Sequence, residues 1–477
     1  MIRTKILATL GPATSDVDSL ARLIAAGVDV FRLNFSHGTL VEHLQTLRNI
    51  RQAAIGTDHP VAVLGDLCGP KIRLGMVSDI NNTGGMPIDV GDDLVIQRAP
   101  IEGAAGRVSS TFPRLIDDLQ VGDRILIEDG LLRFVCTDKL PDEIKCRCTH
   151  GGVLKSKKGI NLPQTKVNVA SITTQDWECV DWAIENDLDY IALSFVRSAD
   201  DLHHLRQQLR NRASHMQIIA KIEKSEAVEA IDSIIDAADG LMVARGDLGV
   251  EMDLAQVPII QKQLVRKCQT AGKPVIVATQ MLQSMIDNST PTRAEVSDVA
   301  NAIFDGTDAV MLSGETSVGK FPVGTVHVMA HIATTTEDYL IRNPLPPIDI
   351  KPAALQLSAG VARGVRQMVD ELELKLVIVY SQTGSTARVF SKFRFPVPIL
   401  ALSSDASILR RMALHFGVVP IELSMPNDVD ALVRNAQRLV IERKLAEVGD
   451  RVAIVSGSSL GAPGTLNGVI IHTLGAP

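Results

Sequence analysis

Short runs of apolar, often β-branched residues recur along the chain, and each run ends in polar or charged residues. A segment of helical period follows each run. The runs are Lys5–Leu10, Val28–Asn34, Val61–Asp66, Tyr190–Ser194, Gln217–Glu223, Gly240–Asp247, Pro274–Thr279 and Asp308–Glu315. Alternation of this kind predicts an α/β fold with parallel strands and crossover helices. Eight strands close a (β/α)8 TIM barrel, although periodicity alone also allows an open doubly wound sheet.

Two parts of the chain depart from this alternation. Residues from about 74 to 158 are rich in glycine and short strands, with Asp129-Gly130 as a hairpin signal. A Pro-rich linker at 343–347 precedes a third unit in which strands again alternate with helices. We therefore expect a barrel at 1–70 and 166–343, an inserted small β-barrel lid at 71–165, and a C-terminal α/β domain at 344–477. Insertions in barrel loops commonly act as lids.

Composition narrows the class of protein. The 477 residues carry a net charge of −7 and only 3% aromatic residues, which argues against a nucleic-acid partner. No apolar stretch approaches the length that spans a membrane, and the N-terminal apolar run is short for a signal peptide. Six scattered cysteines fit a reduced, cytoplasmic setting.

Three alternating residues, Cys146, Cys148 and His150, invite comparison with a metal site. A closed zinc site needs a fourth ligand, and none lies nearby in the sequence. We interpret them as one face of a β-strand.

The densest chemical pattern lies on two neighbouring predicted strands. Lys221 and Glu223 are two positions apart, so they point to the same face. Glu223 and Asp247 would bring two carboxylates to the barrel mouth, and such a pair suits Mg²⁺ that keeps waters and takes substrate oxygens. Lys221 would face negative charge developing on a phosphoryl group or an enolate. A structural Lys221–Glu223 salt bridge is the alternative.

A second pattern surrounds the end of the second predicted strand. Arg32, Asn34 and Ser36 share one side of this segment. A guanidinium with two short oxygen-bearing side chains suits a phosphate and a small cation.

The segment Ser381-Gln382-Thr383-Gly384-Ser385-Thr386 joins a predicted strand to a predicted helix in the third unit. Its backbone N–H and hydroxyl groups at a helix start would suit a phosphate. A cluster that only caps its own helix is the alternative.

Taken together, these motifs resemble the pyruvate kinase family along nearly the whole chain. The matching segments are 4–13, 32–38, 69–73, 156–163, 221–223, 244–249, 278–281, 291–295 and 312–316. The resemblance implies a barrel with a β-domain lid, a C-terminal effector domain, and usually a homotetramer. It also implies phosphoryl transfer from phosphoenolpyruvate to ADP in glycolysis.

The resemblance also implies roles for individual residues around the substrate. Lys221 matches the group that stabilises the phosphoryl transition state and the enolate, and Arg32 matches the residue that holds the phosphoryl group. Glu223 and Asp247 match the ligands of Mg²⁺ or Mn²⁺. The substrate carboxylate would meet the backbone N–H groups near Gly246 and Asp247 together with Thr279, which also lies near the carbon that receives a proton; an ordered water is an alternative donor.

Further positions match the family's contacts for nucleotide and monovalent cation. The nucleotide contacts correspond to Asn34, Phe35, Ser36, His37, Arg73 and Lys158. The K⁺ site of members that need this ion corresponds to Asn34, Ser36, Asp66 and the carbonyl at 67. Here Leu67 and Lys71 stand where those members have Thr and Glu, and a Lys ammonium is a compact cation. We therefore expect dependence on Mg²⁺ or Mn²⁺ but not on K⁺.

The effector is left open by the same comparison. Residues 381–386 match the sugar-phosphate loop, but the segment Gly457–Asn467 lacks the Trp and Arg that hold a second phosphate in animal members. A monophosphate sugar or AMP is as compatible as fructose bisphosphate.

Two other classes of protein use a similar barrel. A magnesium-dependent lyase or aldolase would not need Arg73 or Lys158, and a non-catalytic sensor would not retain the full catalytic set.

Overall fold

A computed structural model of the chain describes residues 2–57, 59–79, 84–163, 165, 167, 169–424, 426–457 and 466–476. The first part of the barrel contains three strands and two helices. They are β1 (Lys5–Thr9), α1 (Val17–Ala26), β2 (Val28–Asn34), α2 (Leu40–Ala54) and β3 (Ala62–Asp66). Asp16 and Thr39 cap the two helices, so each helix begins where the sequence supplies a side-chain acceptor.

The inserted domain follows β3. Its elements are β4 (Met86–Ile88), β5 (Asp93–Gln97), β6 (Arg107–Ser109), α3 (Leu115–Asp118), β7 (Arg124–Ile127), β8 (Leu132–Lys139), β9 (Glu143–His150), β10 (Gly152–Leu154) and β11 (Ile160–Asn161). They form a six-stranded sheet and a two-stranded sheet around one apolar core. Segment 72–77 bridges the two edges of the larger sheet, since the N–H of Ile160 donates to the Ile72 carbonyl and the N–H of Gly75 donates to the Ser109 carbonyl, in agreement with the expected small β-barrel. The predicted hairpin at Asp129-Gly130 joins β7 to β8.

The barrel resumes with five strands and nine helices. The strands are β12 (Tyr190–Leu193), β13 (Gln217–Ile222), β14 (Gly240–Ala244), β15 (Val275–Ala278) and β16 (Ala309–Leu312). The helices are α4 (Thr174–Glu185), α5 (Ala199–Asn211), α6 (Ser225–Glu229), α7 (Ile231–Ala237), α8 (Arg245–Glu251), α9 (Val257–Ala271), α10 (Arg293–Phe304), α11 (Gly314–Ser317) and α12 (Pro322–Arg342).

The eight strands close into a barrel in the order β1-β16-β15-β14-β13-β12-β3-β2, and every pairing is parallel. The predicted (β/α)8 barrel is therefore confirmed, and the open sheet is excluded. β3 pairs directly with β12 across the insertion. Alternate strand residues such as Leu7, Val30 and Met242 fill the interior as a packed core.

The C-terminal domain is a five-stranded sheet flanked by helices. Its elements are α13 (Gln356–Glu371), β17 (Leu376–Tyr380), α14 (Ser385–Ser391), β18 (Ile399–Ser403), α15 (Ala406–Met412), β19 (Val418–Glu422), α16 (Val429–Glu442), β20 (Arg451–Gly457) and β21 (Leu466–Thr473). The order is β19-β18-β17-β20-β21, with β21 antiparallel to β20. The α/β prediction is confirmed, and β21 is an additional strand.

Buried ion pairs attach this domain to the opposite end of the barrel from the strand ends that carry the polar residues. Lys392 lies 2.7 Å from Asp308, and both side chains are 0% exposed. Arg410 contacts Asp189 at 2.7 Å, and the Tyr190 hydroxyl donates to the carbonyl of Arg411. These contacts join α14 and α15 to the starts of barrel strands.

The cysteines agree with the strand-face interpretation. Cys146 and Cys148 are buried in the insert core, and His150 is exposed. In the described part of the chain, no group of three or more His, Cys, Asp or Glu side chains could hold a metal ion. No helix there combines the length and apolar character that a membrane span requires.

Candidate active site

The polar residues at the ends of the barrel strands converge on one mouth. Arg32 and Asn34 end β2, Asp66 ends β3, Lys221 lies at the end of β13, and Glu223 follows it. A cleft of about 1520 Å³ separates part of this mouth from the inserted domain. Its lining includes His37, Lys71, Asp129, Gly246, Asp247 and Thr279.

Lys221 is surrounded by acceptors at this mouth. Its Nζ lies 3.0 Å from Glu223 Oε1 and 3.2 Å from Asp66 Oδ1, and it donates to Ser194 Oγ at 2.6 Å. Burial opposes its charge, but the carboxylates of Asp66 and Glu223 outweigh burial and raise the pKa of Lys221. The side chain is therefore a fixed, fully charged ammonium.

Arg32 shares the same carboxylate. Its Nε donates to Asp66 Oδ2 at 2.7 Å, its Nη2 lies 2.6 Å from that oxygen, and its Nη1 donates to Thr9 Oγ1 at 3.1 Å. Burial works against ionisation of Asp66, yet Lys221 and Arg32 outweigh it and lower the pKa of Asp66. Asp66, expected only among the monovalent-cation positions, thus joins the two cations of the site.

Glu223 and Asp247 are two further carboxylates at the mouth, and their negative charges are less fully balanced by cations than the charge of Asp66. Glu223 is 1% exposed, and its Oε2 accepts the N–H of Phe195 at 2.7 Å. Burial and then the charge of Glu223 raise the pKa of Asp247 to about 6, against the opposing effects of Lys221 and Lys71. Because two neighbouring buried carboxylates repel each other, binding of a cation between them would be favoured. Two carboxylates fit Mg²⁺ or Mn²⁺ that retains water and binds substrate oxygens.

Thr279 carries backbone strain at the end of β15. Its φ is +70°, which is unusual for a β-branched residue, and the next residue, Gln280, also has a positive φ of +55°. The Thr279 hydroxyl accepts the N–H of Gly246 at 2.7 Å and donates to the carbonyl of Ala278 at 2.6 Å. Arg245 supports this turn by donating to the Thr279 carbonyl at 2.8 Å.

The start of helix α8 explains one difference from the sequence-based strands. β14 was expected to run to Asp247, but it ends at Ala244 and α8 begins at Arg245. The first-turn N–H groups of a helix have no partner within the helix. The Thr279 hydroxyl accepts the N–H of Gly246, which allows α8 to begin at this point. Gly246 and Asp247 lie in the first turn of α8, at the mouth of the barrel.

The predicted nucleotide contacts lie on two separate parts of the molecule. Asn34 Oδ1 accepts the N–H of Ser36 at 3.2 Å, the N–H of Phe35 donates to the Asp66 carbonyl, and His37 lines the cleft. Arg73 and Lys158 belong to the inserted domain. Arg73 Nη1 donates to the Lys157 carbonyl at 3.1 Å, and Lys158 Nζ lies 2.7 Å from Glu128 Oε1. The structure brings the first group to the mouth but engages the second within the insert.

The monovalent-cation positions are occupied by protein contacts. The carbonyl of Leu67 accepts the Ser194 hydroxyl at 2.7 Å, and Asp66 binds Arg32 and Lys221. Lys71 is exposed, lines the cleft, and lowers the pKa of Asp247 electrostatically. In the described residues its ammonium forms no ion pair with Asp66 and no hydrogen bond with Asn34 or Ser36, so it lies toward Asp247 instead.

The predicted effector loop forms the turn before α14. Gly384 has φ +77°, and an added Cβ there would lie 3.3 Å from Met412 of α15. The Ser381 hydroxyl is buried and has no partner among the described residues, and the N–H of Ser385 approaches Thr383 Oγ1 at 3.4 Å. Of the predicted partner loop, residues 458–465 lie outside the described residues.

Two groups at the mouth were given no site role from the sequence, although Ser194 was named at a strand end and Asp129 in the predicted hairpin. Ser194 bonds both Lys221 and the Leu67 carbonyl. Asp129, at the tip of the β7–β8 hairpin, lines the cleft and contributes to the raised pKa of Asp247. Ser194 could have been found from its place at a strand end, whereas the position of Asp129 depends on how the insert packs.

This fold and site define a barrel enzyme with an ammonium, a guanidinium and two neighbouring carboxylates at the carboxyl ends of its strands. The chain matches the family model for the pyruvate kinase barrel domain over residues 1–326 and the model for the pyruvate kinase alpha/beta domain over residues 359–472. The chain belongs to the pyruvate kinase family, and its members are phosphotransferases.

Individual relatives agree with this assignment over the full chain. A pyruvate kinase of Geobacillus stearothermophilus is 43% identical over 475 residues, covering 99% of this chain and 80% of that protein. One of Mycobacterium intracellulare is 38% identical, covering 99% and 98%. The crystal structure of a pyruvate kinase from Cryptosporidium parvum superposes with a TM-score of 0.90 at 36% identity, covering 99% of this chain and 96% of that one.

Proposed function

We propose that this chain transfers a phosphoryl group from phosphoenolpyruvate to ADP, giving pyruvate and ATP, as a cytoplasmic enzyme of glycolysis. The observation that carries the proposal is the position of Lys221, a permanent ammonium between Asp66 and Glu223 and beside the cation-binding pair Glu223–Asp247. Phosphoryl transfer needs little covalent chemistry from the protein, and mainly requires positioning and charge stabilisation.

Each side chain at the mouth has a distinct task in this proposal. Arg32 holds the transferring phosphoryl group, while Asp66 fixes its guanidinium through two contacts. Lys221 stabilises charge on the phosphoryl group and then on the enolate oxygen. Glu223 and Asp247 would hold Mg²⁺ or Mn²⁺, which supplies a Lewis acid for the substrate oxygens when bound.

The substrate carboxylate is proposed to lie at the start of α8. The N–H groups of Gly246 and Asp247 and the hydroxyl of Thr279 would orient it, with the substrate carboxylate replacing the present Gly246–Thr279 and Thr279–Ala278 hydrogen bonds. The strained turn at Thr279 keeps that hydroxyl at a fixed place. Thr279 would also lie near the carbon that is protonated, either directly or through an ordered water.

ADP is proposed to enter the cleft between the barrel mouth and the insert. Asn34, Phe35, Ser36 and His37 would contact it from the barrel. Arg73 and Lys158 would contact its phosphates from the insert after Lys158 leaves Glu128.

Independence from K⁺ is a further part of the proposal. Asp66, which would otherwise attract a monovalent cation, already binds Arg32 and Lys221, and Lys71 adds a positive charge at the same mouth. Turnover in tetramethylammonium buffer tests this point. An increase of many-fold on adding KCl would contradict it.

Regulation is proposed to act through the loop 381–386, in a homotetramer. The orphan hydroxyl of buried Ser381 and the left-handed turn at Gly384 support a loop built for a phosphate rather than only for capping. Half-saturation by phosphoenolpyruvate should be compared with and without glucose 6-phosphate, AMP and fructose 1,6-bisphosphate. A curve unchanged by all three contradicts an effector of this class.

The central experiment is a coupled assay of pyruvate formation from phosphoenolpyruvate and ADP, with wild type and Lys221→Ala. We expect loss of a central electrostatic group to lower turnover on the order of 10²-fold or more. A folded Lys221→Ala protein with near-normal turnover would refute the role given to Lys221. A wild type that cleaves carbon–carbon bonds but leaves ADP unchanged would refute the proposal in favour of the lyase class.

A further inference from the structure

A buried carboxylate at the end of α8 connects three parts of the molecule. The side chain of Glu251 is 2% exposed. Its Oε1 accepts from Lys224 Nζ at 2.6 Å and from Asn161 Nδ2 at 3.2 Å. A buried carboxylate is strongly destabilising without partners, so these two contacts determine where its neighbours lie.

Lys224 and Glu251 itself are both close in sequence to residues of the active site. Lys224 directly follows Glu223 and precedes α6. Glu251 ends the same seven-residue helix that begins at Arg245 and includes Gly246 and Asp247. A short, rigid helix therefore links the position of Glu251 to that of Asp247.

Asn161 belongs to the inserted domain rather than to the barrel. It lies in β11, where it pairs with Leu126 of β7. β7 leads into the hairpin that carries Asp129 to the cleft. The Asn161–Glu251 hydrogen bond thus joins the sheet that bears the hairpin to the helix that bears Asp247.

The hairpin approaches the same helix at a second place, but without a polar contact. An added Cβ on Gly130 would lie 3.9 Å from Val250 Cγ1, which is ordinary van der Waals contact. The chain returning from the insert is held on the barrel by Arg197, which donates to the carbonyls of Val167 and Val169, each at 2.7 Å. Among the described residues, the hydrogen bond at Glu251 is therefore the directional contact between the insert and α8.

We propose that Glu251 is a positioning residue that sets the inserted domain at a fixed distance from the Glu223–Asp247 pair. Through Asn161 it orients the insert wall of the cleft, and through Lys224 it ties this orientation to the segment that carries Glu223. The inference rests on the proposed function, because its consequence concerns the nucleotide half of the cleft. The phosphoenolpyruvate half is built from barrel residues alone.

The test compares kinetics for the two substrates in Glu251→Ala and Asn161→Ala. We expect kcat/KM for ADP to fall about 10-fold or more, because displacement of about 1 Å at a remote site can cost on the order of 10²-fold. In Asn161→Ala, which leaves the Lys224–Glu251 pair and α8 intact, the dissociation constant of phosphoenolpyruvate, measured with Mn²⁺ and no ADP, should stay within about twofold of wild type, as expected when only one substrate's site is altered.

Two further variants separate positioning from general damage. Glu251→Gln retains an acceptor for Asn161 and should recover much of the ADP term. The double variant Glu251→Ala/Asn161→Ala should be little worse for ADP than Glu251→Ala, because the two residues act through one contact. Glu337→Ala is the matched control: Glu337 is also buried, at 3% exposure, but it binds the backbone N–H groups of Arg3 and Thr4 at the far end of the barrel.

The control should lower thermal stability without changing the ratio of the ADP and phosphoenolpyruvate parameters. Equal losses for both substrates in Asn161→Ala, or independent, additive losses in the double variant, would overturn the inference. Wild type that is inactive with phosphoenolpyruvate and ADP would instead refute the proposed function, so the two failures are distinguishable.

Discussion

The ammonium of Lys221 lies 3.2 Å from Asp66 Oδ1, and the other carboxylate oxygen of Asp66 binds the guanidinium of Arg32. One buried carboxylate therefore spaces two cations that would repel each other without it. This spacing leaves both cations ready to face a phosphoryl group. It makes Asp66 a structural determinant of the electrostatics of the site.

Asp66→Asn tests this spacing. The amide keeps the shape of Asp66 but removes the charge that binds both cations, so we expect Arg32 and Lys221 to separate. Turnover should fall on the order of 10²-fold, as for loss of a group that organises transition-state charge. Steady-state assays of pyruvate formation measure this, with circular dichroism to check the fold. Near-wild-type turnover in a folded variant would contradict the spacing role.

The proposed independence from K⁺ should be reversible by two substitutions. Lys71→Glu removes a positive charge from the mouth, and Leu67→Thr adds a hydroxyl oxygen beside Asp66. We expect the double variant to have low turnover in tetramethylammonium buffer and to gain activity many-fold with KCl. Leu67→Thr alone is the control and should remain independent of K⁺, because Lys71 is retained. A double variant indifferent to KCl would argue against a role for Lys71.

Thr279 should matter through its hydroxyl rather than through packing. Thr279→Ala removes the acceptor for the N–H of Gly246 and frees the start of α8. We expect turnover to fall about 10-fold or more, within the range typical for loss of a positioned polar group. Thr279→Ser keeps the hydroxyl and should retain much of the activity. The prediction fails if the Ser and Ala variants are equally impaired.

The barrel and the C-terminal domain should be strongly coupled through Lys392 and Asp308. Both are fully buried, so Lys392→Met leaves the Asp308 carboxylate with Arg394, 3.3 Å away, and should destabilise the protein by up to about 3–5 kcal/mol. Thermal unfolding measures this. The double variant Lys392→Met/Asp308→Asn should be less destabilised than the two single variants together. Additive losses would indicate that the two residues do not act as a pair.

The same lysine should give stability a pH dependence. Burial lowers the pKa of Lys392 to about 8, against the attraction of Asp308. The unfolded chain, with an ordinary lysine, then binds more protons than the folded one between about pH 8 and its usual pKa near 10.5. The contribution of Lys392 to stability therefore rises with pH across this window. Wild type should gain relative to Lys392→Met as pH increases from 8 to 10, and a constant difference would contradict the lowered pKa.

The sequence was sufficient for the parts of the site that one strand determines by itself. Lys221 and Glu223 share a face because they are two residues apart, and strand ends converge once a barrel closes. Their proximity to each other and to Asp247 was therefore predictable.

Contacts between strands were less accessible from the sequence. Asp66 meets Arg32 because β2 lies beside β3, and it meets Lys221 across β12, which pairs with β3 only after the intervening insert. Strand β21 was missed because it follows β20 directly and pairs with it antiparallel, whereas the other strands of the domain are parallel. The alternation of strands and helices therefore does not predict it. The limits of β14 were misjudged because a helix begins directly after it.

The pairing of β3 with β12 also bears on how the chain acquires its structure. The N–H of Val63 donates to Asp189, which lies 126 positions later. The first three barrel strands are synthesised long before β12, and the inserted domain lies between them in the sequence. Folding of this domain brings the end of β3 close to the start of β12. Compact folding of that domain shortens the loop to be closed, since closing a loop becomes less favourable as its length grows. The inserted domain that lines the cleft thus also favours pairing of β3 with β12, the step that allows the barrel to close in order of synthesis.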